Sequence, residues 1–275
     1  MFRLLQISDT HLSPAKPHFA ANWAPLRDWA LRQDAELVIH TGDLTVDGAD
    51  SEDDMRDGAS LMRSLGQTRL RAVPGNHDVG EAGHRHQPVD AARLARWRRH
   101  FDTDRWHEDI GNWRLIGFNS MLCGAESEEE ARQLAWLEAT MASAGARRLA
   151  WFTHRPLFIE SPGEADTGYW SVKPGPRVRL LELIDRHRVA LVATGHLHKW
   201  RDATVDGCRY VWCASSGFLV GPDNQPDMPG EKRLGAAVYD FDGPDVTVTH
   251  HDIAGLSTYW IDDVLHEVYP PRRTA

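Results

Sequence analysis

The chain has 275 residues, 41% of them hydrophobic, with 31 basic and 40 acidic side chains and a net charge of −9. This content suits a globular protein with a real core, as one large domain or two small ones, and the acidic balance speaks against a surface that grips nucleic acid by its backbone. Three irregularly spaced cysteines without a C-x-x-C argue against a disulfide framework and a thiolate zinc site, and no apolar run is long enough for a membrane span.

Segment 2–8 reads as a strand that runs directly into Asp9-Thr10-His11. It carries no apolar leader with a small-residue cleavage site, so no signal peptide is expected. The thiols Cys123, Cys208 and Cys213 fit a reducing, cytoplasmic setting. A helical pattern over 22–33 precedes a second strand, 37–41, which ends at Gly42-Asp43. Met55, Ala59 and Met62 then mark one face of a helix over 54–65. Strand 69–74 delivers Gly75-Asn76-His77-Asp78, and a helix with a basic outer face follows over 88–100.

Beyond strand 113–119, Ser127-Glu128-Glu129-Glu130 has the form of a capping box, with the Ser127 hydroxyl able to accept the N–H of Glu130. The helix it opens has Leu134, Leu137 and Met141 on one face. Strand 148–153 ends at His154. Pro176 begins a helix to 187 with Leu180, Leu181 and Ile184 turned inward. Strand 189–194 ends at Gly195-His196-Leu197-His198. Strands over 209–213, 236–241 and 246–250 lie close together in the chain, which suggests an antiparallel part. Segments 161–174 and 221–230 read as long loops able to shape a pocket. Residues 256–275 form a tail, partly amphipathic, that could pack on the body or on a second subunit, so a homo-oligomer stays open. Strands alternating with helices imply an α/β architecture, read as one domain over 1–275.

Five polar motifs thus fall at or just past the ends of apolar strands. Together they offer Asp9, Asp43, Asn76, His11, His154, His196 and His198, enough to hold two metal ions side by side. Asp9 and His11 are two apart, as are His196 and His198. In an extended segment that spacing puts both side chains on one side. Asp43 has two oxygens and could bridge two ions, and Gly42 lets its backbone come close. A single histidine at a strand end is more often structural than a ligand, and an Asp in a turn is blander still. Seven suitable side chains at five strand ends are harder to ascribe to coincidence. Carboxylate, amide and imidazole without sulfur favour manganese, iron or zinc.

The ordered set D-x-H, G-D, G-N-H-D, H, G-H-x-H resembles the calcineurin-like metallophosphoesterase superfamily, over roughly residues 2–200. The resemblance implies a four-layer αββα sandwich of two mixed β-sheets flanked by helices. It implies that Asp9, His11 and His198 hold one ion, that Asn76, His154 and His196 hold the second, and that Asp43 bridges. It makes His77 a catalytic group near the phosphate and leaving oxygen, with Asn76 also near the substrate and Asp78 orienting His77. The implied reaction is phosphoester hydrolysis by a metal-bridging hydroxide. Val46 stands where purple acid phosphatases carry a metal-bound tyrosine. The plain G-D-L-T, G-N-H-D and G-H-L-H forms are similar to bacterial cyclic-nucleotide and glycerophosphodiester phosphodiesterases, and His154-Arg155-Pro156-Leu157-Phe158 to a phosphoprotein-phosphatase branch.

The expected substrate is therefore a small phosphodiester, with phosphomonoesters, phosphoproteins included, as the alternative. A non-catalytic scaffold of the same fold conflicts with the complete ligand set, and a nuclease lacks a basic track. Around the site, Arg155 could reach a substrate phosphate or pair with a surface carboxylate. Tyr169, Trp170 and Trp200 could wall the pocket or simply pack the loops. His84 and His86 read as exposed, His40 as a core histidine with a hydrogen-bond partner, and Cys208 and Cys213 as buried fillers.

Overall fold

The computed structural model describes residues 1–66 and 68–270, so the last five residues of the expected tail, 271–275, lie outside the described residues. In chain order the elements are β1 (Phe2–Ile7), α1 (Trp23–Leu31), β2 (Leu37–His40), α2 (Glu52–Arg63), β3 (Arg69–Ala72), α3 (Asn76–Val79), α4 (Ala91–Phe101), β4 (Trp106–Ile110), β5 (Trp113–Gly117), α5 (Glu128–Ala142), β6 (Arg148–Phe152), α6 (Pro174–His187), β7 (Val189–Thr194), β8 (Arg201–Val205), β9 (Cys208–Trp212), β10 (Ala236–Asp242), β11 (Asp245–His251) and α7 (Ile261–Val268).

Two mixed sheets result, with strand orders β11-β10-β1-β2-β3 and β4-β5-β6-β7-β9-β8. The strands β1, β2 and β3 are parallel to one another, as are β5, β6, β7 and β9, and antiparallel partners sit at the margins. The two sheets press together over Leu4, Ile39, Tyr239, Leu115, Phe152 and Ala193. On the outer face of the first sheet, Trp23, Leu26 and Trp29 of α1 pack on Leu5, Val38 and Val238. Leu137 and Met141 of α5, with Leu180 and Ile184 of α6, cover Ile116, Trp151 and Val192 of the second. These are the four αββα layers expected, each amphipathic helix burying its apolar stripe on a sheet face.

Two strands escape periodicity. β4 and β8 are edge strands which, after the buried Trp106, alternate between exposed and half-buried residues, with Asp109 and Asp202 on the exposed side. Such edges blunt pairing with other chains, and they carry little apolar signal. The helix expected from Pro88 instead starts at Ala91, because the Asp90 carboxylate caps it by accepting the Arg93 N–H at 2.9 Å. The Ser127 cap forms as expected, with Ser127 Oγ accepting the Glu130 N–H at 3.2 Å.

Parallel strands bring their carboxyl ends to the same edge of a sheet, where ligand sites of open α/β sheets lie. Just below that edge the sheets are stitched by polar groups. Gln6 on β1 donates to Thr41 Oγ1 at 2.9 Å and to the Thr194 carbonyl of the other sheet at 3.1 Å, and accepts from the Tyr239 hydroxyl at 2.6 Å. A buried amide with all these bonds made fixes the two sheets in one register.

Candidate metal centre

All five motifs meet at this shared edge. The loop after β1 carries Asp9 and His11, the loop after β2 Asp43, the start of α3 Asn76 and His77, the loop after β6 His154, and the loop after β7 His196 and His198. Six of the seven expected ligands are at most 4% exposed, and Asn76 is 7% exposed. Three overlapping clusters have ligand atoms all within 4.8 Å of one another: Asp9, His11 and His198; His11, Asp43 and His77; and Asp43, His154 and His196.

Their convergence has a different local cause from strand alternation. Asp9, His11, Asp43, His196 and His198 have φ of 54°, 45°, 51°, 74° and 52°. The left-handed region is uncommon for non-glycine residues, although Asp and His visit it more readily than most. The D-x-H and H-x-H segments are therefore kinked turns. They are held by cross-loop bonds: Asp9 N–H donates to the Gly42 carbonyl at 3.0 Å, His11 N–H to Asp43 at 3.1 Å, and Leu12 N–H to Leu44 at 2.8 Å. Strained backbone of this kind clusters at functional sites.

Close approach is enforced by motif glycines. A Cβ on Gly42 would lie 2.6 Å from Gly75 N and 2.6 Å from His154 Nδ1, and one on Gly195 would lie 2.0 Å from Ser8 Oγ and 2.6 Å from Asp9 Oδ2. Each glycine thus clears space for another motif's ligand.

The outer nitrogens of the imidazoles fix where their lone pairs point. His154 Nδ1 donates to the Thr41 carbonyl at 2.7 Å, His198 Nδ1 to the Phe218 carbonyl at 2.7 Å, and His196 Nε2 to the Tyr169 carbonyl at 2.9 Å. A carbonyl only accepts, so in the neutral rings His154 Nε2, His198 Nε2 and His196 Nδ1 carry lone pairs. These face inward: His196 Nδ1 lies 3.2 Å from His154 Nε2, and His198 Nε2 lies 3.2 Å from His11 Nε2. Asn76 Oδ1 is buried without a hydrogen-bond partner, while its Nδ2 donates to Tyr169 Oη at 3.3 Å. Facing lone pairs beside carboxylates, with an orphaned amide oxygen, need a cation. The residues present fit a pair of metal ions.

Asp43 is the centre of this arrangement. Its Oδ1 accepts the His77 N–H at 2.9 Å, while Oδ2 lies 3.3 Å from His154 Nε2 and 3.9 Å from His11 Nε2. Burial alone would raise its pKa, but His154 and His77 pull it well below the usual carboxylate range. Burial likewise opposes charge on His154, yet the adjacent Asp43 raises that imidazole to about 9. Burial holds His11 and His196 well below the ordinary histidine value. The centre therefore draws positive charge to a point beside Asp43.

His77 is the half-buried member of its loop, with Nδ1 3.1 Å from the Val46 carbonyl. The resemblance gave Asp78 the task of orienting this ring. Instead the Asp78 carboxylate accepts from Leu44 N–H (3.1 Å), Thr45 N–H (3.0 Å), Thr45 Oγ1 (2.8 Å) and Gly75 N–H (2.9 Å). It locks the Gly75–Asp78 loop to the Asp43 loop, and the Val46 carbonyl meets the ring. Burial and the nearby Asp43 charge raise Asp78 to about 6, against the pull of these donors.

Arg155 is buried, ion-paired with Glu81 and set over the Tyr169 ring at 5.6 Å. Tyr169 stands 4.6 Å and Trp170 6.4 Å from His196, ring to ring, so both line the His154–His196 side. Trp200 does not join them; it packs on His250 at 5.1 Å, away from the centre, because its backbone pairs with Glu231. His84 and His86 are exposed. His40 is buried: Gly42 N–H donates to its Nδ1 at 3.2 Å, its Nε2 lies 3.1 Å from Thr10 Oγ1, and burial lowers it to about 4.

Three contributors carry no assignment from the sequence. The loop after β9 brings Ser215, whose hydroxyl donates to the Asp9 carbonyl at 2.9 Å, and Phe218, whose ring lies 4.5 Å from His11 and 4.3 Å from His198. Ser-Ser-Gly at the end of an apolar strand was the available signal. Tyr269, next to α7, also enters the site and carries no local signal at all.

Residues 2–200 match the family model described as calcineurin-like phosphoesterase. A probable glycerophosphodiester phosphodiesterase, GpdQ, of Arcobacter nitrofigilis is 24% identical over 252 residues, covering 83% of each chain. The serine/threonine-protein phosphatase CPPED1 of Danio rerio is 28% identical over 158 residues, 55% of this chain and 48% of that one, so the chain spans about half the length of this relative. Among solved structures, purple acid phosphatase PPD1 from yellow lupin superposes with a TM-score of 0.70 at 16% identity, over 100% of this chain and 56% of that chain. This chain belongs to the calcineurin-like phosphoesterase family.

Proposed function

We propose that this protein is a dinuclear metal-dependent phosphoesterase that favours small phosphodiesters. The observation that carries the reading is the pair of inward-facing imidazole sets around Asp43 Oδ2. Asp9, His11 and His198 would hold one ion, Asn76, His154 and His196 the other, and Asp43, whose Oδ1 also accepts the His77 N–H, would be shared between them. Manganese, iron and zinc all suit this donor set. When bound, two such ions supply Lewis acidity and a water-derived nucleophile at neutral pH.

The chain's own residues do the rest. Carbonyls of Thr41, Phe218 and Tyr169 hold three imidazoles in the ligating tautomer. His77 stands beside His11, 5.2 Å ring to ring, with its Nδ1–H donating to the Val46 carbonyl; when the ring is protonated at both nitrogens, Nε2–H can give its proton to the leaving oxygen. Tyr169 and Trp170 offer an aromatic face to a base or an apolar leaving group, and Glu81 holds the buried Arg155 over the Tyr169 ring.

The diester preference rests on the GpdQ relative, which is matched over most of both chains. Monoester hydrolysis, of phosphoproteins included, is the second reading, favoured by the likeness to CPPED1. Free Cys123, Cys208 and Cys213 support a cytoplasmic setting, and no helix among the described residues is long and apolar enough to cross a membrane. A panel of 2′,3′- and 3′,5′-cyclic nucleotides, glycerophosphodiesters and phosphomonoesters, run with manganese, iron and zinc, tests the assignment. Faster turnover of diesters is expected; turnover of monoesters alone would replace it with the second reading.

A further inference from the structure

The C-terminal segment is built into the centre. Helix α7 is anchored at both ends. At its start the Asp262 carboxylate accepts from Gly221 N–H at 2.6 Å and Asn224 Nδ2 at 2.9 Å. At its end Lys16 Nζ donates to the Val268 carbonyl at 2.6 Å while pairing with Asp47 at 2.5 Å. At the two ends of the helix Ile261 and Val268 are buried against Phe19, Val46 and Phe218. The segment 221–230 is held in turn by Lys199, whose ammonium donates to the Met228 carbonyl at 2.6 Å.

These anchors deliver one side chain. Tyr269 places its hydroxyl 2.9 Å from His11 Nδ1, across 258 positions of sequence. Its ring stacks on His77 at 4.5 Å and 29°. The outer nitrogens of His154, His196 and His198 each meet a backbone carbonyl. His11 is the exception, and Tyr269 stands where the carbonyl would be. For His11 Nε2 to offer a lone pair toward His198, the ring proton must sit on Nδ1. Tyr269 Oη then accepts it and keeps its own O–H to donate. The stacked ring also limits the swing of His77, the half-buried imidazole of its loop.

We propose that Tyr269 is a positioning residue for this centre: its hydroxyl sets the ligating tautomer of His11, and its ring holds His77 in place. The inference rests on the metal-centre reading above. Together with Tyr169 on the His196 side, it leaves the substrate an approach bracketed by two tyrosines.

The test compares the full chain with Tyr269→Phe and Tyr269→Ala, by manganese titration against a chelating dye and by kinetics at saturating manganese. Removal of such outer partners costs 10- to 100-fold in metal affinity. Tyr269→Phe should therefore bind one manganese about 10-fold more weakly and the other as before, with an unchanged melting temperature. At saturating metal its kcat should fall less than that of Tyr269→Ala, because the ring remains stacked on His77. Tyr269→Ala should show the same metal defect and also lose kcat, more for alkyl than for aryl phosphodiesters. A Phe variant that binds both ions like the parent overturns the hydroxyl role. An Ala variant with the Phe variant's kcat on both leaving groups overturns the ring role. If the parent protein itself takes up none of manganese, iron and zinc, the metal-centre reading fails instead, a result distinct from either.

Discussion

Gly42→Ala probes how tightly the motifs are interlocked. Gly42 has φ of +92°, where an L side chain is strained, and its Cβ would meet Gly75 N and His154 Nδ1 at 2.6 Å each. The backbone term is about 1–2 kcal/mol. Displacing packed neighbours adds about 1–3 kcal/mol. The total of about 2–5 kcal/mol corresponds to a melting temperature lower by about 4–20 °C for a chain of this size. Gly145→Ala is the matched control, since Gly145 has φ of +64° with nothing within 4 Å of a Cβ. It should show the backbone term alone, about 1–2 kcal/mol. Calorimetry of both variants, with metal analysis after loading, separates the terms. Gly42→Ala should also lose metal, because its Cβ presses on the ring that His154 anchors to Thr41. If the two variants melt together and both keep full metal content, the close-approach argument is wrong.

Other expectations concern the ligands and their neighbours. Asp43→Asn should abolish hydrolysis of an aryl phosphodiester and lower the content of both ions, since Oδ2 faces both imidazole sets; normal metal analysis would contradict the shared-ligand role. His77→Ala should retain metal and lose about 10²–10⁴-fold in rate, most for poor leaving groups; loss of metal would make His77 a ligand instead. Loading at pH 7 should release about one proton, because His154 holds its proton up to about 9 in the metal-free protein and a ligand must be deprotonated. Calorimetry in buffers of different ionisation enthalpy measures this, and uptake without proton release would argue against His154 ligation. Glu81→Gln should destabilise by about 3–5 kcal/mol, because it strands Arg155, whose side chain is 8% exposed; an unchanged melting temperature would show that the pair is not needed.

Much of the centre was legible because glycine, Asp and His signal their own roles at strand ends. The order of five motifs predicted which loops would meet, and apolar periodicity predicted the strands and helices that carry them. The two-apart spacing led to the right neighbours for the wrong local reason. Asp9, His11, His196 and His198 converge through left-handed turns, which no period of two encodes. Side-chain partners across the fold were less readable. Asp78 bonds to the Asp43 loop and Val46 meets His77, because the hydrogen-bond partner of a ring depends on which backbone group the turn leaves facing it. Trp200 was placed by a bridge to Glu231, a long-range pairing with no local trace. Tyr269 reaches His11 only because α7 docks on residues from distant loops.

Anomalous diffraction from crystals of the manganese-loaded protein would locate the ions themselves. Two peaks are expected beside Asp43, one within reach of Asp9, His11 and His198 and the other of Asn76, His154 and His196. Peaks elsewhere, or a fully loaded protein with none at Asp43, would contradict this arrangement.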